Sequence, residues 1–263
     1  MTAGGSLTVH PRPDLIPPGA LQGGVAVVID VLRATTVMIE TLASGCPEIR
    51  PCGEIEEARR LAASLPPGSA LLAGERQGLP IAGFDLGNSP GEFTPGVCRD
   101  KTVVMTTTNG TRAILAALDA DRVLIAAFVN QAAVVQALRA ESRPIHLLCA
   151  GTEGQVSLED TLMAGSLIEQ LTDHASVAAD DVSQLANLAW RGCQAAVPPN
   201  VDTQPGGRDR HLAGWLVQGR GGRRLAEIGL TVDIASASRI DHHGQVLAEV
   251  LTDPLRIVRV HPD

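Results

Sequence analysis

Short continuous runs of β-branched and aliphatic residues recur along this chain, and between them the apolar spacing changes to that of a helix. Val25–Ile29 reads "VAVVI". A strand with no polar position must be buried on both faces, as in a parallel sheet covered by helices. Strands are also predicted at Glu48–Cys52, Ala70–Ala73, 102–106, 122–128 and 145–149. Helical spacing falls between them, over 34–44 (closed by Gly45), 54–64, 111–118, 131–140 and 158–171. In "EIEEARRLAAS" (54–64) the acids lead and the arginines follow, which suits the helix macrodipole. A more polar helical stretch near 180–193 and helices around 210–228 come next. Strand candidates at 231–237 and 245–251, turning at "DHHG" (241–244), would form a closing hairpin. Repeated β-α alternation implies an α/β protein with a mostly parallel sheet between helices, in α/β/α layers. The hairpin would be its antiparallel edge or part of a second, smaller lobe. At 263 residues the chain can be one unit (1–263) or two α/β lobes, about 1–143 and 144–263.

The alternation breaks twice. Residues 76–96, "RQGLPIAGFDLGNSPGEFTPG", form a long Gly- and Pro-rich loop of the kind that carries function. Residues 194–209, "QAAVPPNVDTQPGGRD", are expected to be a mobile connection.

In an open parallel sheet, ligands bind beyond the carboxyl ends of the strands. Asp30-Val31-Leu32-Arg33-Ala34-Thr35-Thr36 follows the first such strand, and Gly74-Glu75-Arg76 follows 70–73. Thr107 to Arg112 follows 102–106, and Ala150-Gly151-Thr152 follows 145–149, with Glu159-Asp160 at the next helix start. Four strand ends thus deliver acids, arginines, threonines and glycines to one edge. Asp30 suits a hard cation or attack on phosphorus, and equally a helix N-cap. Arg33 can grip an oxyanion bidentately, or be a solvated surface group. Glu75 can be a surface acid, and Glu159 with Asp160 can merely complement a helix N-terminus. Met105 to Ala113, "MTTTNGTRA", places four threonines around an Asn-Gly pair. The segment reads as a phosphate cradle at the next helix's start, or as a strand end and cap. It is no P-loop, since no GK[ST] follows and Lys101 is the chain's one lysine.

Composition narrows the partners. Aromatic residues make up 2% of the chain and the formal net charge is −8, which argues against a nucleic-acid partner. Five cysteines without a CxxC pair point to a reduced, cytoplasmic setting rather than a disulfide scaffold. The first residues lack the basic and apolar regions of a signal peptide, and no run approaches a membrane span, so no membrane partner is expected.

The blocks "VVIDVLRATT" (27–36), "GERQGLPIAGFDLGNSPGEF" (74–93), "VMTTTNGTRAI" (104–114), "CAGTEGQVSLEDTLMAG" (149–165) and "RLAEIGLTVDIASAS" (224–238) together resemble the 2-phosphosulfolactate phosphatase family. The resemblance implies a Mg²⁺-dependent phosphatase with an α/β fold, making sulfolactate from phosphosulfolactate as on the route to coenzyme M. It gathers Asp30, Arg33, Glu75, Asp85, Asn88, Thr106, Thr107, Thr108, Asn109, Thr111, Glu159 and Asp160 around one acidic cleft. The candidates for catalysis are then Asp30, Arg33, Thr108, Asn109, Glu159 and Asp160. Asp30, Glu75, Glu159 and Asp160 are candidate Mg²⁺ ligands. Arg33, Thr35, Thr36, Glu75, Asp85, Asn88 and the run Thr106–Thr111, with Gly110, are candidates for holding a small anionic phosphorylated substrate. Two mechanisms stay open, water attack at a metal and an aspartyl-phosphate on Asp30. A family phosphatase acting on another phospho-hydroxy acid and a non-catalytic binder of phosphorylated metabolites are the alternatives, and a homodimer is left open.

Overall fold

The computed structural model describes residues 4–177, 180–198 and 206–261. Eleven strands form one sheet: β1 (Gly4–His10), β2 (Val25–Ile29), β3 (Ile49–Pro51), β4 (Ala70–Arg76), β5 (Leu79–Pro80), β6 (Thr102–Thr106), β7 (Arg122–Ala126), β8 (Ile145–Cys149), β9 (Ala175–Val177), β10 (Leu247–Thr252) and β11 (Leu255–Val260). Their spatial order is β5-β4-β6-β3-β11-β10-β7-β2-β8-β1-β9. The helices are α1 (Ala34–Ala43), α2 (Ile55–Ser64), α3 (Pro95–Cys98), α4 (Gly110–Ala116), α5 (Gln131–Arg139), α6 (Leu158–Leu171), α7 (Asp181–Ala195), α8 (Gly207–Leu216), α9 (Arg220–Glu227) and α10 (Thr231–Ala237).

The apolar runs explain the layers. Along β2, Val25, Val27 and Ile29 enter one core while Ala26 and Val28 enter the other. In β7, Leu124 and Ala126 oppose Val123 and Ile125 in the same way. This is the period-2 alternation of a strand with both faces covered. One core is filled by α5 to α10 and the other by α1 and α4. α2 starts with a capping box, Glu57 accepting hydrogen bonds from the Gly53 and Glu54 amides at 2.8 and 3.4 Å.

Two blocks of strands are parallel within themselves: β4-β6-β3, and β7-β2-β8-β1-β9. The hairpin β10–β11 lies between them, antiparallel to both neighbours. The first block therefore runs opposite to the second in strand order. Each neighbour is also twisted by roughly 20–25°, and the five steps from β2 to β6 accumulate on the order of 100°. That rotation is what lets the carboxyl ends of β4 and β6 swing round to those of β2 and β8.

Several elements differ from the sequence reading. Residues 231–237 form helix α10, not a strand. Asp233, Ile234 and Ala237 share its buried face, and it packs on α8 and α9. The hairpin exists one segment later, as β10 and β11, turning at Asp253-Pro254 rather than at Asp241–Gly244. β1, β9 and β11 escaped the apolar-run criterion. The loop 76–96 holds β5, a 3-10 turn (Pro90–Glu92) and α3. Of the stretch 194–209 expected to be mobile, residues 199–205 lie outside the described residues. Among the described residues, no helix is long and apolar enough to cross a membrane.

Candidate active site

A pocket of ≈ 70 Å³ opens where four strands end. Asp30, Leu32 and Arg33 line it after β2, Glu75 at the end of β4, Gln77, Gly78 and Asn88 from the loop beyond. Thr107, Thr108 and Asn109 come from the β6–α4 turn, Thr152 and Glu153 from beyond β8, and Gly221, Arg224 and Leu225 from α9.

The turn after β2 is held from behind. Thr35 Oγ1 donates to the Asp30 carbonyl (2.8 Å) and accepts from the Asp30 amide (3.1 Å), and Thr36 Oγ1 donates to the Val31 carbonyl (2.8 Å). Both threonines are fully buried, so they shape the turn and do not face the pocket. Asp160, in the first turn of α6, accepts from the Val31 amide (2.9 Å) and the Gly151 amide (3.1 Å), tying the β2 and β8 ends together. Glu75 does the same for β4 and β6, accepting from the Thr108 amide (2.7 Å) and the Gly78 amide (2.8 Å). Asp30 Oδ1 accepts weakly from the Ala34 amide at the start of α1 (3.4 Å). A Cβ on Gly110 would sit 2.4 Å from Ala34 Cβ and 2.9 Å from Asp30 Oδ2, so only glycine lets α4 begin this close to Asp30.

Arg33 is equally fixed. Its guanidinium donates to Asp233 (2.8 Å), Ser89 Oγ (3.1 Å) and the Gly78 carbonyl (2.7 Å). Three contacts leave two of its five N–H groups for a ligand. Asp233 and Ser89 went unassigned in the sequence, the first because its helix read as a strand. Gly87-Asn88-Ser89-Pro90-Gly91 spells the GxSxG of a nucleophile elbow. Here Ser89 precedes a 3-10 turn and donates to Asp233 (2.8 Å), so it braces Arg33 instead.

The "TTTNGT" residues divide their tasks. Thr106 accepts from Arg76 (3.0 Å) and does not reach the pocket. Thr107 Oγ1 accepts from the Thr111 amide and Thr111 Oγ1 from the Thr107 amide, both at 3.1 Å, a reciprocal brace on the turn. Thr108 Oγ1 and Asn88 Oδ1 are buried with no hydrogen-bond partner among the described residues, and both residues line the pocket. Asp85 is exposed, accepts from the Leu72 amide (2.8 Å) and lies outside the pocket. Thr152 was placed at this edge in the sequence, whereas Gln77, Glu153 and the α9 residues were not singled out, because nothing local marks an arginine-bearing helix as pocket wall.

Every buried Asp, Glu and Arg among the described residues belongs to this cluster: Asp30, Glu75, Glu159, Asp160 and Asp233 against Arg33 alone. Burial, then the neighbouring charge of Glu75, pushes the Asp30 carboxyl up to about 7. Asp160 is raised well above the ordinary carboxylate range by burial and then by Asp30 and Glu159. Burial raises Glu159 too, and neither of its oxygens has a hydrogen-bond partner among the described residues. Buried carboxylates in such excess are neutralised either by protons or by a cation. The donor set, carboxylates with an amide oxygen and a hydroxyl, is that of a hard ion such as Mg²⁺. No three Asp, Glu, His or Cys side chains among the described residues converge tightly enough to enclose an ion.

Residues 10–249 match the family model described as 2-phosphosulpholactate phosphatase. A protein of Caldanaerobacter subterraneus named "Probable 2-phosphosulfolactate phosphatase" is 35% identical over 215 residues, covering 82% of this chain and 83% of its own. Identically named proteins of Symbiobacterium thermophilum (37%, covering 86% of this chain and 91% of its own) and Deinococcus radiodurans (39%, 87% and 88%) are similar throughout. With four strand ends, an enclosed acidic cluster and a match running through nearly all of both, the chain belongs to the 2-phosphosulpholactate phosphatase family.

Proposed function

We propose that this protein hydrolyses a small acidic phosphate monoester in a Mg²⁺-dependent reaction, with 2-phosphosulfolactate as substrate and sulfolactate and phosphate as products, a reaction of the coenzyme M type. One observation carries the reading. Among the described residues, Asp30, Glu75 and Arg33 of the buried charged cluster line one pocket, where Thr108 Oγ1 and Asn88 Oδ1 have no hydrogen-bond partner, and Glu159, Asp160 and Asp233 complete the cluster outside the lining.

Asp30 and Glu75, which line the pocket, would hold Mg²⁺, while Asp160 and Glu159 lie behind them and add negative charge. When bound, Mg²⁺ supplies positive charge against the phosphoryl oxygens. The two free N–H groups of Arg33 and the Thr108 hydroxyl bind and orient those oxygens. They oppose the charge that grows on them as water attacks phosphorus and the bond to the alcohol oxygen breaks. Asp233 and Ser89 keep the Arg33 plane fixed during that step. Because Asp30 Oδ2 accepts none of the described hydrogen bonds, Asp30 can also attack phosphorus itself, and an acid-quenched, hydroxylamine-sensitive phosphoenzyme would install that route.

The test is phosphate release from 2-phosphosulfolactate by protein stripped of metal, with and without Mg²⁺. We expect turnover only with the ion. Full activity in excess chelator defeats the metal role, and no release under any metal condition defeats the phosphatase reading.

A further inference from the structure

α9 carries Arg220, Arg223 and Arg224 along the outer rim of the pocket. They border a groove of ≈ 520 Å³ with Glu227 and with Gln77, Thr152 and Glu153. Arg224 and those three residues line the inner pocket as well, so groove and pocket are continuous. The three guanidiniums differ in how they are engaged. Arg220 lies 3.3 Å from Glu153, and Arg223 donates to the Gln218 carbonyl. Among the described residues Arg224 has two long contacts, 3.4 Å to the Gln77 carbonyl and 3.7 Å to Glu227. Its planar fork is therefore open to a bidentate oxyanion.

The start of α9 lies directly against Glu159. A Cβ on Gly219 would lie 2.2 Å from Glu159 Oε2, and one on Gly221 2.1 Å from Oε1. Glycine at both places lets the first turn of α9 close over the buried acid, and this sets Arg224 at the junction of pocket and groove.

We infer that Arg224 is a specificity-determining residue that binds an acid of the substrate other than the phosphate being removed; the assignment rests on the phosphatase reading above. The inner pocket is small and carboxylate-rich, matched to a phosphoryl group and its cation. The remainder of a small substrate must extend toward the groove. A neutral alcohol gains nothing from a loosely held guanidinium there. A sulfonate or carboxylate gains a charge-assisted pair. In a chain of net charge −8, the arginine rim also offers anions a local route to the mouth.

The variants Arg224→Gln and Arg224→Lys test this. The Arg224 side chain is 41% exposed, so both should fold, and thermal melts check it. Phosphate release is measured from 2-phosphosulfolactate and from p-nitrophenyl phosphate, which has no second acid. For Arg224→Gln we expect kcat/KM on phosphosulfolactate to fall roughly 10- to 100-fold, mainly through KM. That loss should exceed the loss on the aryl phosphate by about tenfold or more, and Arg224→Lys should recover part of it. Equal proportional losses on the two substrates, or no loss on either, overturn the assignment. Should the wild-type protein release phosphate from neither, the phosphatase reading fails and calorimetric titration with sulfolactate decides Arg224 alone. Binding about tenfold weaker in Arg224→Gln upholds the assignment; equal affinities, or none in the wild type, reject it.

Discussion

Two threonines three residues apart should answer substitution in opposite ways. Thr111 is buried, and its hydroxyl satisfies the Thr107 amide. Thr111→Val leaves that N–H unpaired, so stability should fall by ~1–3 kcal/mol. Thr108 Oγ1 supports nothing in the fold, because it has no partner among the described residues. Thr108→Val should leave the unfolding midpoint where it is while kcat/KM falls roughly 10- to 150-fold, the worth of one hydrogen bond to a charged group. Urea midpoints and steady-state rates on both variants decide it, and a pattern in which Thr111 governs turnover while Thr108 governs stability would reverse the assignment. The run of threonines was conspicuous in the sequence, yet their division was not legible there. Which hydroxyl faces the ligand depends on how the turn is braced, and the brace spans only residues 107–111. Asp30, Arg33 and Glu75 were legible because strand ends announce themselves. Asp233 was not, since it reaches Arg33 from 200 residues away.

Elements could be read where burial on both faces leaves unbroken apolar runs, as in β2, β6, β7 and β8. "TVDIASA" (231–237) misled because its alternating β-branched start resembles a strand. Packing on α8 and α9 overrides that local preference, since Ile234 and Ala237 reach the core only on a helix. β1, "GGSLTVH", is half polar and gains its place from pairing with β8 and β9. A close approach between helices is equally hidden in sequence. A Cβ on Gly165 in α6 would lie 2.1 Å from the Ala186 carbonyl oxygen of α7 and 2.8 Å from Trp190 Cβ. Gly165→Ala must push these backbones apart, at ~1–3 kcal/mol or more. Chemical denaturation should show the loss, and an unchanged midpoint would mean that α7 shifts freely.

At the scale of the whole molecule, the buried acids trade stability for the site. Asp30 is moved from 3.8 up to about 7. Between those values the folded protein holds a proton that the unfolded chain has released, so without metal this residue's contribution declines as pH rises through that window. Buried His10, lowered to about 4, and His146, also lowered, act with the opposite sign below their ordinary value of 6.5. The difference between wild type and Asp30→Asn isolates the carboxylate. In chelator, Asp30→Asn should be the more stable protein at pH 7.5, by on the order of 2–4 kcal/mol, with little difference near pH 4. Added Mg²⁺ should stabilise the wild type and narrow the gap. Thermal melts at both pH values measure it, and a less stable Asp30→Asn in chelator at pH 7.5 would contradict the desolvation account.

The hairpin between the two strand blocks has a consequence for how the molecule is made. β3 meets β11, and β10 meets β7, so among the described residues, 247–260 are the sheet link between a block holding Glu75 and the Thr107–Asn109 turn and a block holding Asp30. A ribosome delivers those residues after every other described element. Until they are made, each block can pair its own strands, but the sheet between the blocks stays open. The repulsion between the acids of the two blocks is therefore met within one continuous sheet only once the hairpin is in place.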